Sequence, residues 1–192
     1  MPQPTSLFLV PADAAAGPDS GPVIAVLEEL GIIAEPLAGT AGARRFAAGP
    51  GFARHIVFAG CSPYLVTTPP EEGSLDFSHV VVHGPWELPR LCTGPNTVKP
   101  RCPACRARFA DWRDRLQDWL LPGASAACPV CAAVFPVQQL DWRGHAVSGR
   151  MLVEFTRVFA GEAAPDDRLV AALRQTTGLD WNYGWAASPE EG

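Results

Sequence analysis

The sequence predicts an α+β fold: a two-layer sandwich built from the N- and C-terminal segments, with a cysteine-rich module inserted between them. Three observations lead there. Short apolar runs alternate with helical patterns at both ends of the chain. Four of the six cysteines fall in the middle, as two Cys-x-x-Cys pairs. The stretch 147–192 is too short to enclose a core of its own, so it is expected to return to the layer begun by the N-terminal segment. The division expected is 1–95, 96–146 for the module, and 147–192 completing the sandwich.

Leu7 to Val10 is an apolar run closed by Pro11, which reads as a buried strand. Pro22 to Leu30 reads as a helix, because Pro22 is acceptable in a first turn, Val23, Val26, Leu27 and Leu30 follow the helical period, and Gly31 can end it. Ile32-Ile33 opens the next extended piece, and Ala38 to Gly51, rich in Gly and Ala, carries no clear period. His55 to Phe58 and Tyr64 to Thr68 are predicted strands around Gly60-Cys61-Ser62-Pro63. Ser78 to His83 is a further strand ended by Gly84-Pro85, and Cys92 to Pro103 has the Gly, Pro and Asn content of a linker. Beyond the module, Arg150 to Phe159 is β-rich. Asp166 to Gly178 has acidic residues in its first turn, apolar Leu169, Val170 and Leu173, and a glycine stop, which predicts a helix. Leu179 to Trp185 is expected to be extended, and Ser188 to Gly192 to fray.

Composition narrows the function. Twenty Pro and 18 Gly exclude long uninterrupted helices, and no apolar run reaches the roughly 20 residues of a membrane span. The first residues carry no basic group ahead of a very short apolar stretch, unlike a signal peptide, so a cytoplasmic protein without membrane attachment is expected. Fifteen basic and 20 acidic side chains give −5, which disfavours non-specific duplex binding. Six of the basic residues nevertheless fall within 17 positions: Lys99, Arg101, Arg106, Arg108, Arg113 and Arg115. Arginine offers a planar fork to carboxylate or phosphate, although GC-rich coding also produces an Arg- and Ala-rich chain.

The module reads Cys102-Pro103-Ala104-Cys105, 22 intervening residues, then Cys128-Pro129-Val130-Cys131. In a reducing compartment such pairs point to metal rather than disulfides. A proline after the first cysteine pre-forms the tight turn that aims both sulfurs at one point, and that turn leaves backbone N–H groups free to donate to sulfur. Two turns face to face supply four thiolates in a tetrahedron, the arrangement Zn²⁺ favours. With four thiolates no position stays open for water or substrate, so the metal is expected to be structural, taking the chain from −5 to about −7. Phe109 and Phe135 each follow their pair by four residues, and Asp-Trp-Arg recurs at 111–113 and 141–143. A pseudo-two-fold site with both phenylalanines beside the metal is expected, with Phe109 to Leu120 between the pairs at helix-like spacing.

These two Cys-Pro-x-Cys knuckles resemble the zinc-ribbon class over roughly residues 100 to 145. The resemblance implies a structural Zn²⁺ held by Cys102, Cys105, Cys128 and Cys131, and little about activity. A helix between the knuckles departs from the strands that many ribbons carry there. A rubredoxin-like iron site also uses two such pairs, but usually with Gly after each, where this chain has Arg106 and Ala132. The wider pattern, with Phe58-Ala59-Gly60-Cys61-Ser62-Pro63 ahead of the ribbon and Asp-Trp-Arg after it, is similar to a group of small uncharacterised proteobacterial proteins, some carrying a transporter-ATPase label. No Gly-x-x-x-x-Gly-Lys-Ser/Thr stretch occurs here, and the single lysine, Lys99, precedes Pro100.

Three functions follow in order of preference. The first is a non-enzymatic protein whose zinc ribbon presents a recognition surface to a protein partner. The second is single-stranded nucleic-acid or RNA binding through Lys99, Arg101, Arg106, Arg108, Trp112, Arg113, Trp142 and Arg143, the tryptophans serving as stacking platforms, although core packing is the favoured expectation for the tryptophans and anchoring of a protein interface the next. The third is an enzyme with Cys61 as nucleophile, one of His55, His79, His83 and His145 as base, and Asp76 to orient it. The plainer expectation for Cys61 and Cys92 is a small buried hydrophobe. His79 and His83 share a strand face about 13 Å apart, too far to chelate one ion, and each histidine is expected to be satisfied or solvated.

Overall fold

A computed structural model describes residues 5–59 and 65–189. Cys61 and the turn around it lie outside the described residues. In chain order the elements are β1 (Ser6–Pro11), α1 (Ser20–Glu29), β2 (Ile33–Thr40), β3 (Ala43–Ala48), α2 (Phe52–His55), β4 (Ile56–Phe58), β5 (His79–His83) and β6 (Arg90–Cys92). They continue with α3 (Trp112–Trp119), β7 (Ser125–Ala127), β8 (Val134–Pro136), β9 (Val147–Gly149), β10 (Leu152–Phe155), β11 (Ala163–Pro165), α4 (Asp167–Thr177) and β12 (Trp181–Ala186). No helix among the described residues is long and apolar enough to cross a membrane.

The central sheet has six strands in the order β12-β1-β10-β5-β3-β2, every neighbouring pair antiparallel. Strand β1 pairs on both sides with strands from the C-terminal part of the chain, Leu7 opposite both Phe155 and Trp185. All six of its residues are buried, as the apolar run predicts for a strand covered on both faces. Residues 84–151 leave the sheet after β5 and rejoin it at β10, the strand beside it.

Helices α1 and α4 cover one face. Leu7, Leu9, Val80, Val82, Val153 and Phe155, alternate residues of three strands, meet Val23, Leu27, Leu169 and Leu173 in one apolar core. The period of two in the strands and of 3.6 in the helices is what lets both present apolar faces to each other. Both helices stop at the predicted glycines, while α1 starts at Ser20, two residues ahead of the expected Pro22. Asp19 accepts from Gly21 N–H at the start of α1, and Gly31 follows its end at φ +65°. Asp166 accepts from Leu169 N–H at 2.9 Å at the start of α4, and Gly178 closes it at φ +71°. Asp166 also pairs with His55 Nδ1 at 3.0 Å, fastening α4 to the end of α2.

The stretch without a clear period folds as the β2–β3 hairpin followed by α2. Gly49 is required there, since a Cβ would stand 2.3 Å from Gly31 O. Three expectations need correction. Residues 65–68 form no strand; Pro69-Pro70 directly follow, and a proline cannot donate to a ladder. The Gly- and Pro-rich stretch after β6 is not a free linker, because Asn96 Nδ2 donates to Trp185 O at 2.8 Å and Ala187 N–H donates to Thr93 O at 3.0 Å. Ser188, placed in a fraying tail, is tied to the Glu154 carboxylate.

Candidate metal centre

The four module cysteines converge. Their sulfurs all lie within 4.8 Å of one another, with Cys102 Sγ to Cys131 Sγ at 3.7 Å and Cys105 Sγ to Cys128 Sγ at 3.6 Å. A tetrahedron of thiolates at about 2.3 Å from a central ion has edges of about 3.8 Å. The spacing therefore fits a four-thiolate metal site, and the donor set is complete without any other residue.

The two turns are built alike. In the first, Cys102 N–H donates to Ala107 O at 2.8 Å and Arg106 N–H to Cys102 O at 2.9 Å; in the second, Cys128 N–H donates to Ala133 O at 2.8 Å and Ala132 N–H to Cys128 O at 3.0 Å. Each turn sits at the tip of a short antiparallel pairing at the same offset, Arg101 opposite Arg108 and Ala127 opposite Val134. The pseudo-two-fold relation expected from the repeated spacing is thus present in the backbone.

Arg106 and Ala132 adopt φ +64° and +57°. Both turns thus make the left-handed bend without glycine. Holding an L-residue in this region costs roughly 1–2 kcal/mol per residue, borne by the contacts that close each turn.

Electrostatics at the sulfurs follow from geometry. Val130 N–H points at Cys128 Sγ, 3.5 Å away. The backbone N–H groups of Cys131 and Val130 draw the Cys128 thiol down to about 6. At Cys105 the Ala107 N–H also favours the thiolate, but burial and the three neighbouring sulfurs outweigh it and push the thiol up to about 12. Four sulfurs this close oppose one another's ionisation, and a divalent cation between them removes that opposition.

Around the sulfurs the module has its own core. Cys102, Cys128, Phe109, Trp112, Trp119, Val137, Leu140 and Trp142 pack together, with Phe135 only partly buried against them. Phe109 meets Trp119 edge-on with ring centres 5.6 Å apart, and Trp142 meets Trp119 at 6.1 Å and Trp112 at 6.5 Å. Trp142 Nε1 donates to Val137 O at 3.1 Å. The helical spacing between the knuckles is realised as α3, whose Trp112 and Trp119 face inward.

The residues expected to form a recognition surface divide. Trp112 and Trp142 are 4% and 5% exposed, so their rings are not stacking platforms: Trp112 faces inward from α3, and Trp142, outside any helix, packs edge-on against it. Lys99, Arg106, Arg108, Arg113 and Arg143 are exposed and Arg101 is half-buried. Arg106 pairs with Asp141 at 2.9 Å, Arg143 donates to Lys99 O at 3.3 Å, and Arg113 lies over the Trp112 ring at 4.6 Å. The two Asp-Trp-Arg tripeptides are not structural equivalents, since 111–113 starts α3 while Asp141 pairs with Arg101 in an extended bridge. Cys92 is buried and burial pushes its thiol up to about 12, as a small hydrophobe requires. His55, His79 and His83 are buried and hydrogen-bonded. Sequence reasoning passed over Glu154, whose one signal is a carboxylate among the apolar residues Leu152, Val153 and Phe155.

No protein-family model, curated protein or solved structure matches the chain. The likeness to a zinc ribbon rests on the four cysteines, their spacing and the paired turns.

Proposed function

We propose that Cys102, Cys105, Cys128 and Cys131 hold a structural Zn²⁺, and that the unit they clamp, 96–146, is inserted in the sandwich formed by 1–95 and 147–192 to present a recognition surface to a protein partner. The observation that carries this is the closed set of four sulfurs in two matching turns. A catalytic zinc keeps a coordination position for water or substrate, and four thiolates fill the tetrahedron. The metal would supply charge neutralisation and cross-linking; the chain supplies the N–H donors that favour thiolate and the tryptophan core behind it.

A protein partner fits the surface of the module. Val130 and Val134, within and just beyond the second knuckle, are 73% and 63% exposed, and Leu121 after α3 is 61% exposed. Exposed apolar residues together with the module's exposed arginines suit protein binding, since arginine is enriched in such interfaces. Single-stranded nucleic acid, the second function weighed, keeps the exposed arginines but loses the stacking contribution of Trp112 and Trp142.

Metal analysis of protein purified without added metal should return one zinc per chain. In affinity capture from the host, Val130→Asp combined with Val134→Asp should retain zinc and lose the partner, and Cys128→Ser should lose both. Absence of stoichiometric zinc overturns the metal assignment. A partner retained by the double variant overturns the surface. Oligonucleotide binding that falls steeply with salt would favour nucleic acid instead.

A further inference from the structure

The two knuckles share a backbone course but not a surface. In the first, Cys102 N–H donates to Ala107 O and Phe109 N–H to Pro100 O, which sets Arg101 and Arg108 directly opposite each other with no bond between their own backbones. In such a non-hydrogen-bonded pair the facing Cα atoms stand about 4.5 Å apart and the side chains come closest. The second knuckle has Ala127 and Val134 at the same offset. The fold of a knuckle therefore does not call for arginine at this place, and like charges set directly opposite are destabilising.

Nothing in the module offsets the pair. Among the described residues neither guanidinium has a hydrogen bond or an ion pair. Asp141 stands on the other side of Arg101 in a second bridge, but its carboxylate is engaged elsewhere. Its Oδ2 pairs with Arg106 at 2.9 Å, and its Oδ1 accepts from Arg143 N–H at 3.0 Å. Arg108 is exposed and Arg101 half-buried, and the nearby Lys99 and Arg143 are exposed.

We propose that Arg101 and Arg108 form a fork that binds carboxylates of an Asp- or Glu-rich segment of the protein partner, which rests on the reading of 96–146 as a protein-binding module. A guanidinium presents parallel N–H groups that match a carboxylate bidentately, and a bound acid removes the repulsion within the opposed pair. A nucleic acid draws its affinity from many phosphate contacts and from stacked bases. Here the chain carries −5, Trp112 and Trp142 are buried, and α3 of the same module exposes Asp114 and Asp118. A short acidic segment needs only the fork. The exposed Val130 and Val134 of the other knuckle suit apolar residues flanking such a segment.

The test is fluorescence anisotropy of labelled hexaglutamate, hexaglutamine and oligothymidylate with the full-length, zinc-loaded protein at low ionic strength. Hexaglutamate should bind more tightly than either other probe and weaken as salt screens the contact. Arg101→Gln with Arg108→Gln should weaken it about five- to tenfold. Arg168→Gln with Arg174→Gln, which removes the same charge from exposed positions of α4, should leave it unchanged. Arg101→Lys with Arg108→Lys should fall between, since it keeps the charge and loses the fork. Arg108→Glu alone should abolish binding, and it decides the matter if the paired change disturbs folding. Every variant should keep its zinc.

Four results overturn the fork. Hexaglutamine bound as tightly as hexaglutamate removes the role of charge, and equal losses in the two glutamine pairs show an effect of overall charge alone. Zinc lost from the Arg101 and Arg108 variants shows that these arginines balance the thiolates. Tighter binding of oligothymidylate assigns the surface to nucleic acid. A failed hexaglutamate titration with partner capture still dependent on Val130 and Val134 removes the fork and keeps the protein-binding reading. Capture indifferent to those valines removes that reading, while the titration still decides the fork.

Discussion

The body and the module use their aromatic residues differently. Around the sheet, Phe52 and Phe155 pack edge-on, 5.8 Å apart, inside a large set of aliphatic residues drawn from several strands and from helices α1 and α4. In the module, Trp112, Trp119, Trp142 and Phe109 pack on one another beside two of the cysteines, with a smaller aliphatic set that includes Val137 and Leu140. Apolar burial of the first kind sustains a domain unaided. A cluster of four rings on a short helix and two hairpin tips does not enclose enough surface to offset its ordering entropy. The difference teaches where a cross-link would be needed: burial suffices for the body, and under the proposed metal assignment the module folds by burial plus metal.

Separating the two gives the largest expected effect. Structural zinc sites contribute about 10–16 kcal/mol of apparent binding energy, more than the net stability of most domains. Chelation, or Cys128→Ser, should abolish the near-ultraviolet circular dichroism of the packed tryptophans while the far-ultraviolet signal of the body persists. Simultaneous collapse of both signals would break the comparison. The converse change is Phe155→Ala, expected to cost the body about 3–5 kcal/mol in denaturant unfolding with zinc stoichiometry unchanged.

Acid should act on the body through Glu154 and His79. His83 and the Ser188 and Ser6 hydroxyls outweigh burial at Glu154 and hold its carboxyl below the ordinary 4.5, so its contribution is complete above that value and is lost as pH falls through the folded pKa. His79, lowered from 6.5 chiefly by burial, acts in the same direction over a higher window, since the unfolded chain takes its proton first. Stability should therefore decline from about pH 6.5 downward and more steeply below 4.5. Glu154→Gln should flatten the second limb, read as the denaturation midpoint against pH. The smallest effect expected is at the left-handed turn positions: Ala132→Gly should raise the chelator concentration needed to remove metal by at most about fivefold, the equivalent of about 1 kcal/mol, the relief being partly cancelled by glycine's freedom in the unfolded chain.

Much of this was legible from residue order alone. The end of α1 and both boundaries of α4 could be read because Gly31, Asp166 and Gly178 state them locally, whereas the start of α1 at Ser20 was read two residues late, at Pro22; β1 was legible because an unbroken apolar run has few other uses. The four metal-site cysteines were legible because a two-residue spacing constrains sulfur positions whatever surrounds them. The β2–β3 hairpin was not, since its register is decided by pairing with β5, far along the chain. The role of the tryptophans was ambiguous for a related reason: a ring beside an arginine suits both a core and a surface, and only the closing of the module on itself decides between them. Glu154 belongs to the same class, because its serine and histidine partners come from three separate stretches of sequence.

Strands β6 and β9 form a stem in which Cys92 lies opposite Val147, so residues 93–146 leave and rejoin the body at one stem, flanked by bonds between Thr93, Asn96 and Gly144 and the stretch 185–187. A segment whose two ends meet in this way is portable. Replacing it with a two-residue reverse turn should leave the stem closed, and grafting it onto another protein's hairpin should transplant the cysteine knuckles as a self-contained cassette.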